Sequence, residues 1–346
     1  MLAALEAGLA RRLLFFGSAL LSFKWVRSEE AMARTSPRSK FVVYAALLGN
    51  LMVALIKFGA AAITGSSSML SEGVHSLVDT GNEGLLLYGF HRASLRPDAS
   101  HPLGYGRELY FWSFVVGLLL FTTGAGVSVY EGISHILSPS PIESVLVSYV
   151  VLGLSFLFEA GSWWVALTAF RRAKREAGYL EAVRRSKDPP SFMVLLEDTA
   201  ALIGIAIAAF GIFLSIRLDR PELDGVASIL IGLVLAVTAL LVARESKGLL
   251  IGEPAHSEID AAILELAEQE GCIEGANGVI TVHLAPDQIV ASLSLEFSDE
   301  LRTPDIERCV ESLERRIREK YPQVISLFIK PQTPHRFEAA RRERFG

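Results

Sequence analysis

The chain has 346 residues, of which 51% are hydrophobic and only 21% are charged, and its mean hydropathy is +0.39. This composition is too apolar for an ordinary pair of soluble domains and indicates a membrane protein. A formal net charge of -5 gives no reason to expect a nucleic-acid partner. We therefore expect a lipid bilayer to surround much of the chain.

Residues 1–40 form an N-terminal extension that has several interpretations. Its first 23 residues are apolar but interrupted by Arg11 and Arg12, and they lack a small-residue cleavage site, so a secretory signal is not expected. Three alternatives remain open: an amphipathic helix on the membrane surface, a barely structured segment, or a true start at Met32, with 32-MARTSPRSK-40 as a short basic leader before the first span.

Six apolar stretches follow, and each is long enough to cross the hydrocarbon, which takes about 20 helical residues. Together they predict a polytopic α-helical membrane protein with a transport domain over residues 41–245. The stretches lie near 41–63, 68–91, 109–130, 144–170, 191–216 and 224–243.

Basic residues are concentrated in two of the predicted loops. Arg92, Arg96 and Arg107 lie between the second and third stretches, and a basic segment covers 171–187 between the fourth and fifth. The opposite loops have few basic residues. Because cytoplasmic loops retain Lys and Arg, this pattern predicts that both termini are cytoplasmic. In a bacterium the membrane would be the inner, or plasma, membrane.

The second stretch carries a stripe of polar residues. Glu72, His75, Asp79 and then Asn82 or Glu83 recur at spacings of three and four, so they share one face of a helix. A charged side chain at the bilayer centre costs about 2.5–3.5 kcal/mol on insertion scales, so this face should point to the bundle interior. The alternative, a purely structural interhelical hydrogen bond, is less favoured for four residues on one stripe.

His75 and Asp79 lie one helical turn apart and could bind one cation together. A tetrahedral Zn²⁺ site needs four ligands, so another helix must contribute. The fifth stretch contains the adjacent residues Glu197 and Asp198, whose side chains point about 100° apart, so we expect one to bind and the other to support or gate the site. Weaker candidates within the membrane are Glu72, Asn50 and Glu159.

Residues 250–335 have the pattern of a cytoplasmic α+β domain, followed by a tail over 336–346. The predicted order is αββαβ, and we expect a small ferredoxin-like α+β module, a shape common in dimerising and regulatory domains that by itself names no function. Cys272 and Cys309 fall in this domain in no CxxC arrangement, so both are expected to be reduced thiols. The predicted elements are a helix at 258–271, strands at 278–284 and 289–297, a helix at 304–321 and a strand at 324–330.

Two segments, 66-SSSMLSEGVHSLVDTGN-82 and 98-DASHPLGYGRELYF-111, resemble the second span and following loop of the cation diffusion facilitator family, most closely its zinc transporter nine branch. The resemblance covers residues 41 to about 332. It implies a proton-coupled exporter of Zn²⁺ or a related divalent cation that works as a homodimer. It also implies a transporter without a prosthetic group, not an enzyme.

The resemblance implies a transport site shared by the second and fifth spans. His75, Asp79 and Asp198 match three of its ligands, but Val194 stands where a zinc exporter usually has His. We expect Glu197 to substitute for that ligand. One imidazole with carboxylates is a harder donor set, which moves preference toward Mn²⁺, Fe²⁺ or Co²⁺, although Zn²⁺ stays favoured by intrinsic affinity.

Other metal sites of the family are incomplete here. In the loop site, Asp98 and His101 match, but Tyr105 replaces the second histidine. The histidine positions of the family's cytoplasmic metal cluster are changed as well, so the resemblance implies little or no metal in the tail. We expect His256 and His283 to be surface residues and not ligands. The changed positions are Asn277, Ser294 and Glu307.

The residue chemistry and the family resemblance together predict alternating access, with metal and protons competing for one site. Two rival classes are a membrane-embedded hydrolase and a non-transporting scaffold or metal-responsive partner protein. The chain contains no HExxH or GxSxG segment, which disfavours the hydrolase. The missing span-five histidine is the feature that favours the scaffold.

Overall fold

The computed structural model describes residues 37–64, 67–139, 145–173 and 178–345. Most of the N-terminal extension, and the question of Met1 against Met32, lies outside these ranges. The helices of the membrane part are α1 (Pro37–Thr64), α2 (Ser67–Ala93), α3 (Glu108–Leu119), a π-helical segment (Leu120–Gly126), α4 (Val127–Leu137), α5 (Val145–Ala173), α6 (Tyr179–Arg185), α7 (Pro189–Leu218) and α8 (Glu222–Ile251).

Among the described residues, five helical stretches are long and apolar enough to cross a membrane. They confirm the first and the third to sixth predicted spans. The second, α2, is a helix of 27 residues but is not among the five, and its described part contains Asp79, Glu83 and Arg92. That α2 also crosses stays a prediction. The five stretches are Ser39–Ala60, Glu108–Leu137, Val145–Arg172, Pro189–Leu218 and Glu222–Ile251.

The helices that carry the polar residues pack on one another. Helix α1 contacts α2 and α5, and α7 packs on α5 and α8. Leu86, Phe90, Phe192 and Met193 are fully buried between them, toward the ends of α2 and α7 that adjoin the basic loops. This apolar cluster packs the ends of α2 and α7 into the same helix bundle, in which α1 contacts both helices.

The third span is interrupted by the π-helical segment and then packs closely on α8. A Cβ atom added to Gly132 on α4 would lie 2.6 Å from the carbonyl oxygen of Gly225 on α8 and 2.9 Å from the backbone nitrogen of Ile229. No real Cβ atom tolerates such distances to backbone atoms. Glycine at this crossing therefore lets the two backbones approach, as small residues do in membrane helix pairs.

We predict that Gly132→Ala destabilises the membrane domain by about 1–3 kcal/mol, because the added methyl group forces α4 away from α8. Gly153→Ala in α5 is the control, since nothing lies within 4 Å of its added Cβ. Thermal unfolding of the detergent-purified protein should give a lower apparent Tm for the first variant only. Equal Tm values for both variants would contradict the tight crossing.

The C-terminal domain confirms the predicted order αββαβ and adds a final helix. Its sheet has the order β1-β2-β3, with β1 and β2 antiparallel and β2 and β3 parallel. Ile263, Leu293, Leu313 and Ile317 are buried where helices cover one face of this sheet. The elements are α9 (Ser257–Glu268), β1 (Ile273–Ala285), β2 (Gln288–Phe297), α10 (Thr303–Lys320), β3 (Val324–Pro331) and α11 (Pro334–Phe345).

The two cysteines of this domain form a disulfide, so the expectation of two reduced thiols is wrong. Cys272 immediately precedes β1, and Cys309 lies in α10. Their Cα atoms are 6.4 Å apart although the residues are separated by 37 positions. Spacing along the sequence gave no sign of this proximity, because it arises only when α10 packs beside the start of β1.

Candidate metal centre

Five carboxylates from three helices interact within the membrane part. Asp79 and Glu83 lie on α2, Glu159 lies on α5, and Glu197 and Asp198 lie on α7. Glu83 interacts electrostatically with Asp79, Asp198 and Glu159, and Glu197 interacts with all four of the others. The packing of α2, α5 and α7 thus gathers negative charge in a region where charge is costly.

Helix α2 also contains Glu72 and His75, the first half of the predicted i, i+4 pair. The side chains of both residues lie outside the described part of the structure. Asp79, one turn further along α2, is described and is half-buried. His75, predicted as a ligand, therefore lies on the same helix as Asp79.

Asp198 is held by α5. Its side chain is 2% exposed, and its Oδ2 atom accepts a hydrogen bond of 2.7 Å from the Ser162 hydroxyl. Next to it, Trp163 Nε1 donates to Thr199 Oγ1 over 3.0 Å, so two bonds fix the α5–α7 contact. Ser162 was not singled out in the sequence; its spacing of three residues from Glu159 is the signal that places it on the same face.

Glu197 faces a different neighbour from Asp198. Its Oε1 atom is buried and makes no hydrogen bond within the described part of the chain. Glu83 is the carboxylate that interacts most strongly with Glu197, whereas Glu159 is the one that interacts most strongly with Asp198. The main electrostatic neighbour of Glu197 is thus on α2 and that of Asp198 is on α5, in line with the angle between adjacent side chains on a helix.

Asn50, proposed from sequence as a secondary ligand, contacts Glu83. Its side-chain Nδ2 donates to Glu83 Oε1 over 2.8 Å, and the two side chains are 7% and 1% exposed. The other oxygen, Glu83 Oε2, is buried without a hydrogen-bond partner among the described residues. On the same pair of helices, Lys57 Nζ donates to Ser76 Oγ over 2.9 Å. Asn50 thus orients a fully buried carboxylate.

Within the described residues, no three His, Cys, Asp or Glu side chains are arranged to hold a metal ion. This search does not include the His75 side chain. Val194, where zinc exporters usually have His, is buried in the apolar cluster at 1% exposure. Two buried carboxylate oxygens, Glu83 Oε2 on α2 and Glu197 Oε1 on α7, make no hydrogen bond within the described residues, and oxygens of this kind suit a divalent cation.

The loop candidates Asp98 and His101 build a compact turn. Asp98 Oδ1 accepts the backbone N–H groups of Ser100 and His101, each over 2.8 Å, and Oδ2 accepts the Tyr105 hydroxyl over 2.6 Å. The Tyr105 bond is the main reason that the pKa of Asp98 is lowered. The His101 and Tyr105 rings stack at 4.1 Å between centroids. Tyr105 therefore closes the loop with a hydrogen bond where the family resemblance implied a metal ligand.

A hydrogen-bond network occupies two of the changed tail positions. Asn277 Nδ2 donates to the backbone oxygen of Gln332 over 2.6 Å, and the Ser294 hydroxyl donates to Gln332 Oε1 over 3.1 Å. Glu307 lies exposed on α10. Asn277 of β1 and Ser294 of β2 are thus both joined to Gln332, just after β3. The expectation of little metal in the tail stays a prediction.

His283 is buried at 3% exposure, so the expectation that it lies on the surface is wrong. Its backbone N–H donates to the Glu253 oxygen over 2.9 Å, just beyond α8, and its ring Nδ1 bonds the Ala285 oxygen over 3.0 Å. His283 shares the buried side of β1 with Thr281 and Ala285, and this end of the strand packs against residues next to the membrane helices, including Gly106. His256, at the start of α9, is half-buried.

The family model for the cation efflux transmembrane domain matches residues 43–251, which include every one of the interacting carboxylates. The chain belongs to the cation efflux family. Members of this family are transporters, which agrees with the multi-pass helical architecture and with the resemblance seen in the sequence.

Several known proteins are similar to this chain. The mitochondrial proton-coupled zinc antiporter SLC30A9 of Mus musculus is 32% identical over 79% of this chain and 50% of its own length. Metal tolerance protein C4 of Arabidopsis thaliana is 28% identical over 76% of this chain and 58% of its own. The cation-efflux pump FieF of Escherichia fergusonii is 24% identical over 82% and 89% respectively. The chain thus spans about half the length of the animal and plant relatives.

Opposite pH responses are expected from two groups at the base of the C-terminal domain. Burial lowers the pKa of His283 to about 4 and raises the pKa of Asp287 to about 6. On acidification below pH 6.5, the unfolded chain gains the proton of His283, which lowers stability, whereas the folded chain gains the proton of Asp287, which raises it.

We predict that Asp287→Asn makes the apparent Tm fall more steeply than in wild type between pH 7 and pH 4.5, and that His283→Gln makes it fall less steeply. The comparison with wild type cancels the titration of all other groups. Parallel pH profiles for the three proteins would show that neither side chain is buried as described.

Proposed function

We propose that the protein exports a divalent metal cation, most favourably Zn²⁺, by proton-coupled antiport with alternating access. The observation that carries this proposal is the set of interacting carboxylates on α2, α5 and α7, two of them fully buried, in a chain of the cation efflux family. Such groups are costly in a bilayer and are retained where an ion passes. The name of the SLC30A9 relative, a proton-coupled zinc antiporter, supports the same cargo and coupling.

We assign the transport site to His75 and Asp79 on α2 and to Asp198 and Glu197 on α7. Asp198 is prepared for this role because Ser162 fixes one of its oxygens. Glu197 has a buried oxygen without a hydrogen bond among the described residues, so it can supply the ligand that Val194 cannot. Three carboxylates beside one imidazole still suit Zn²⁺ and also admit Mn²⁺, Fe²⁺ or Co²⁺.

Protons and metal exclude one another at these ligands. A bound cation needs ionised carboxylates and a neutral imidazole, so protonation of the site weakens binding and releases the ion. If the site opens to the cytoplasm at higher pH, the cation loads; if it then opens to a more acidic side, protons displace it. The proton gradient thereby drives metal out of the cytoplasm.

The proposed organisation follows the charge pattern. A transport domain of six membrane helices over 41–245 is joined to a cytoplasmic domain over 250–335, which holds two copies together as a homodimer. The basic loops and both termini face the cytoplasm. In a bacterium this places the protein in the inner, or plasma, membrane.

We predict that proteoliposomes containing the wild-type protein take up Zn²⁺, tested beside Mn²⁺, Fe²⁺ and Co²⁺. Asp79→Ala should abolish uptake, because it removes a charged ligand, and Glu197→Gln should weaken it. Glu338→Gln, the same chemical change on the exposed helix α11, is the control and should transport like wild type. Absence of flux for every metal in correctly inserted protein would favour the non-transporting scaffold.

Coupling to protons has its own test. In vesicles with a proton gradient, wild-type metal flux should drop several-fold when an ionophore collapses the gradient, because protons no longer displace the bound cation. The flux is followed with a metal-sensitive dye at fixed membrane potential. A flux that stays unchanged after collapse would refute antiport while leaving metal transport intact.

A further inference from the structure

Glu83 is a buried carboxylate that the proposed transport site does not use. It lies one turn from Asp79, on the side of α2 that leads to Arg92 and the basic loop. Its side chain is 1% exposed, and Asn50 binds only one of its two oxygens. The second oxygen, Oε2, is buried with no hydrogen-bond partner in the described part of the chain. Buried polar atoms without a hydrogen bond are uncommon in folded proteins, and a bound ion would explain this one.

Glu197 on α7 has a carboxylate oxygen in the same situation as Glu83 Oε2. Its Oε1 atom is also buried without a hydrogen bond among the described residues, and Glu83 is its strongest electrostatic partner. Two carboxylates that interact inside a bilayer repel each other, and both lose their hydration. One divalent cation between them would neutralise both charges and satisfy both oxygens.

We propose that Glu83 and Glu197 form a second, oxygen-only station for a divalent cation, with Asn50 as the residue that positions Glu83. The proposal rests on the proposed transport function, because it gives this station the same cargo. Glu197 is common to both places, so the ion can pass from the Glu83 station to Asp79 and Asp198 without leaving a carboxylate ligand.

The placement makes this station an entrance. Four residues of helix separate Glu83 from Asp79, which is a rise of about 6 Å toward the basic loop. Oxygen ligands and retained waters bind hard divalent cations without strict geometry. A cation arriving from that side would meet Glu83 first and the imidazole site afterwards.

The test is Mn²⁺ binding to the full-length, detergent-purified protein, followed by the loss of the free-ion signal in electron paramagnetic resonance. Asp79→Asn removes a ligand of the transport site and leaves Glu83 and Glu197 in place. We expect this variant to retain one Mn²⁺ per chain, and we expect Asp79→Asn/Glu83→Gln to lose it. Asn50→Ala in the Asp79→Asn background should raise the Kd about tenfold or more, because Glu83 loses its orientation.

Glu83→Asp in the same background keeps the charge but shortens the side chain. This variant should fold, and it should bind Mn²⁺ more weakly than Asp79→Asn. Asp79→Asn/Glu338→Gln is the matched control and should bind like Asp79→Asn. The station is refuted if Asp79→Asn binds no Mn²⁺, or if adding Glu83→Gln changes nothing. Failure of the transport proposal is separate: it would appear as absent flux in proteoliposomes while Glu83-dependent binding persists.

Discussion

The cost of placing carboxylates in a bilayer is the constraint on which the rest of this molecule depends. Five acidic side chains from α2, α5 and α7 interact with one another in the membrane part. One apolar cluster contains Leu86 of α2 and Phe192 of α7 and so joins both helices to the same bundle. Without that packing, each acid would stand alone in hydrocarbon at a cost of a few kcal/mol. The packing of the helices and the grouping of these acids therefore depend on each other.

Hydrogen bonds within the cluster orient two of the acids. Ser162 holds one oxygen of Asp198, and Asn50 holds one oxygen of Glu83, so each acid keeps a defined orientation and a second oxygen. Neutral donors orient a carboxylate without cancelling its charge. This arrangement preserves the negative potential of the cluster, whereas arginine partners would have neutralised it.

Local patterns predicted most of the fold. The length of the apolar stretches predicted five of the spans. The helical spacing and the strand alternation of apolar residues predicted the order αββαβ, because both patterns are formed by residues close together in the sequence. The disulfide between Cys272 and Cys309 and the burial of His283 were missed, because both depend on contacts between distant segments. The candidate site divides in the same way: the stripe on α2 is visible in the sequence, but the pairing of Glu197 with Glu83 and of Asp198 with Ser162 requires the packed helices.

The central claim is that Asp79 and Asp198 hold the transported cation together. The most direct measurement is an anomalous difference map at the zinc edge from crystals of the zinc-loaded protein. The account predicts a peak within about 2.0–2.2 Å of oxygen atoms from both carboxylates, on the side of α2 that carries His75. A zinc peak confined to the 98–105 loop or the C-terminal domain, with none between α2 and α7, would contradict it.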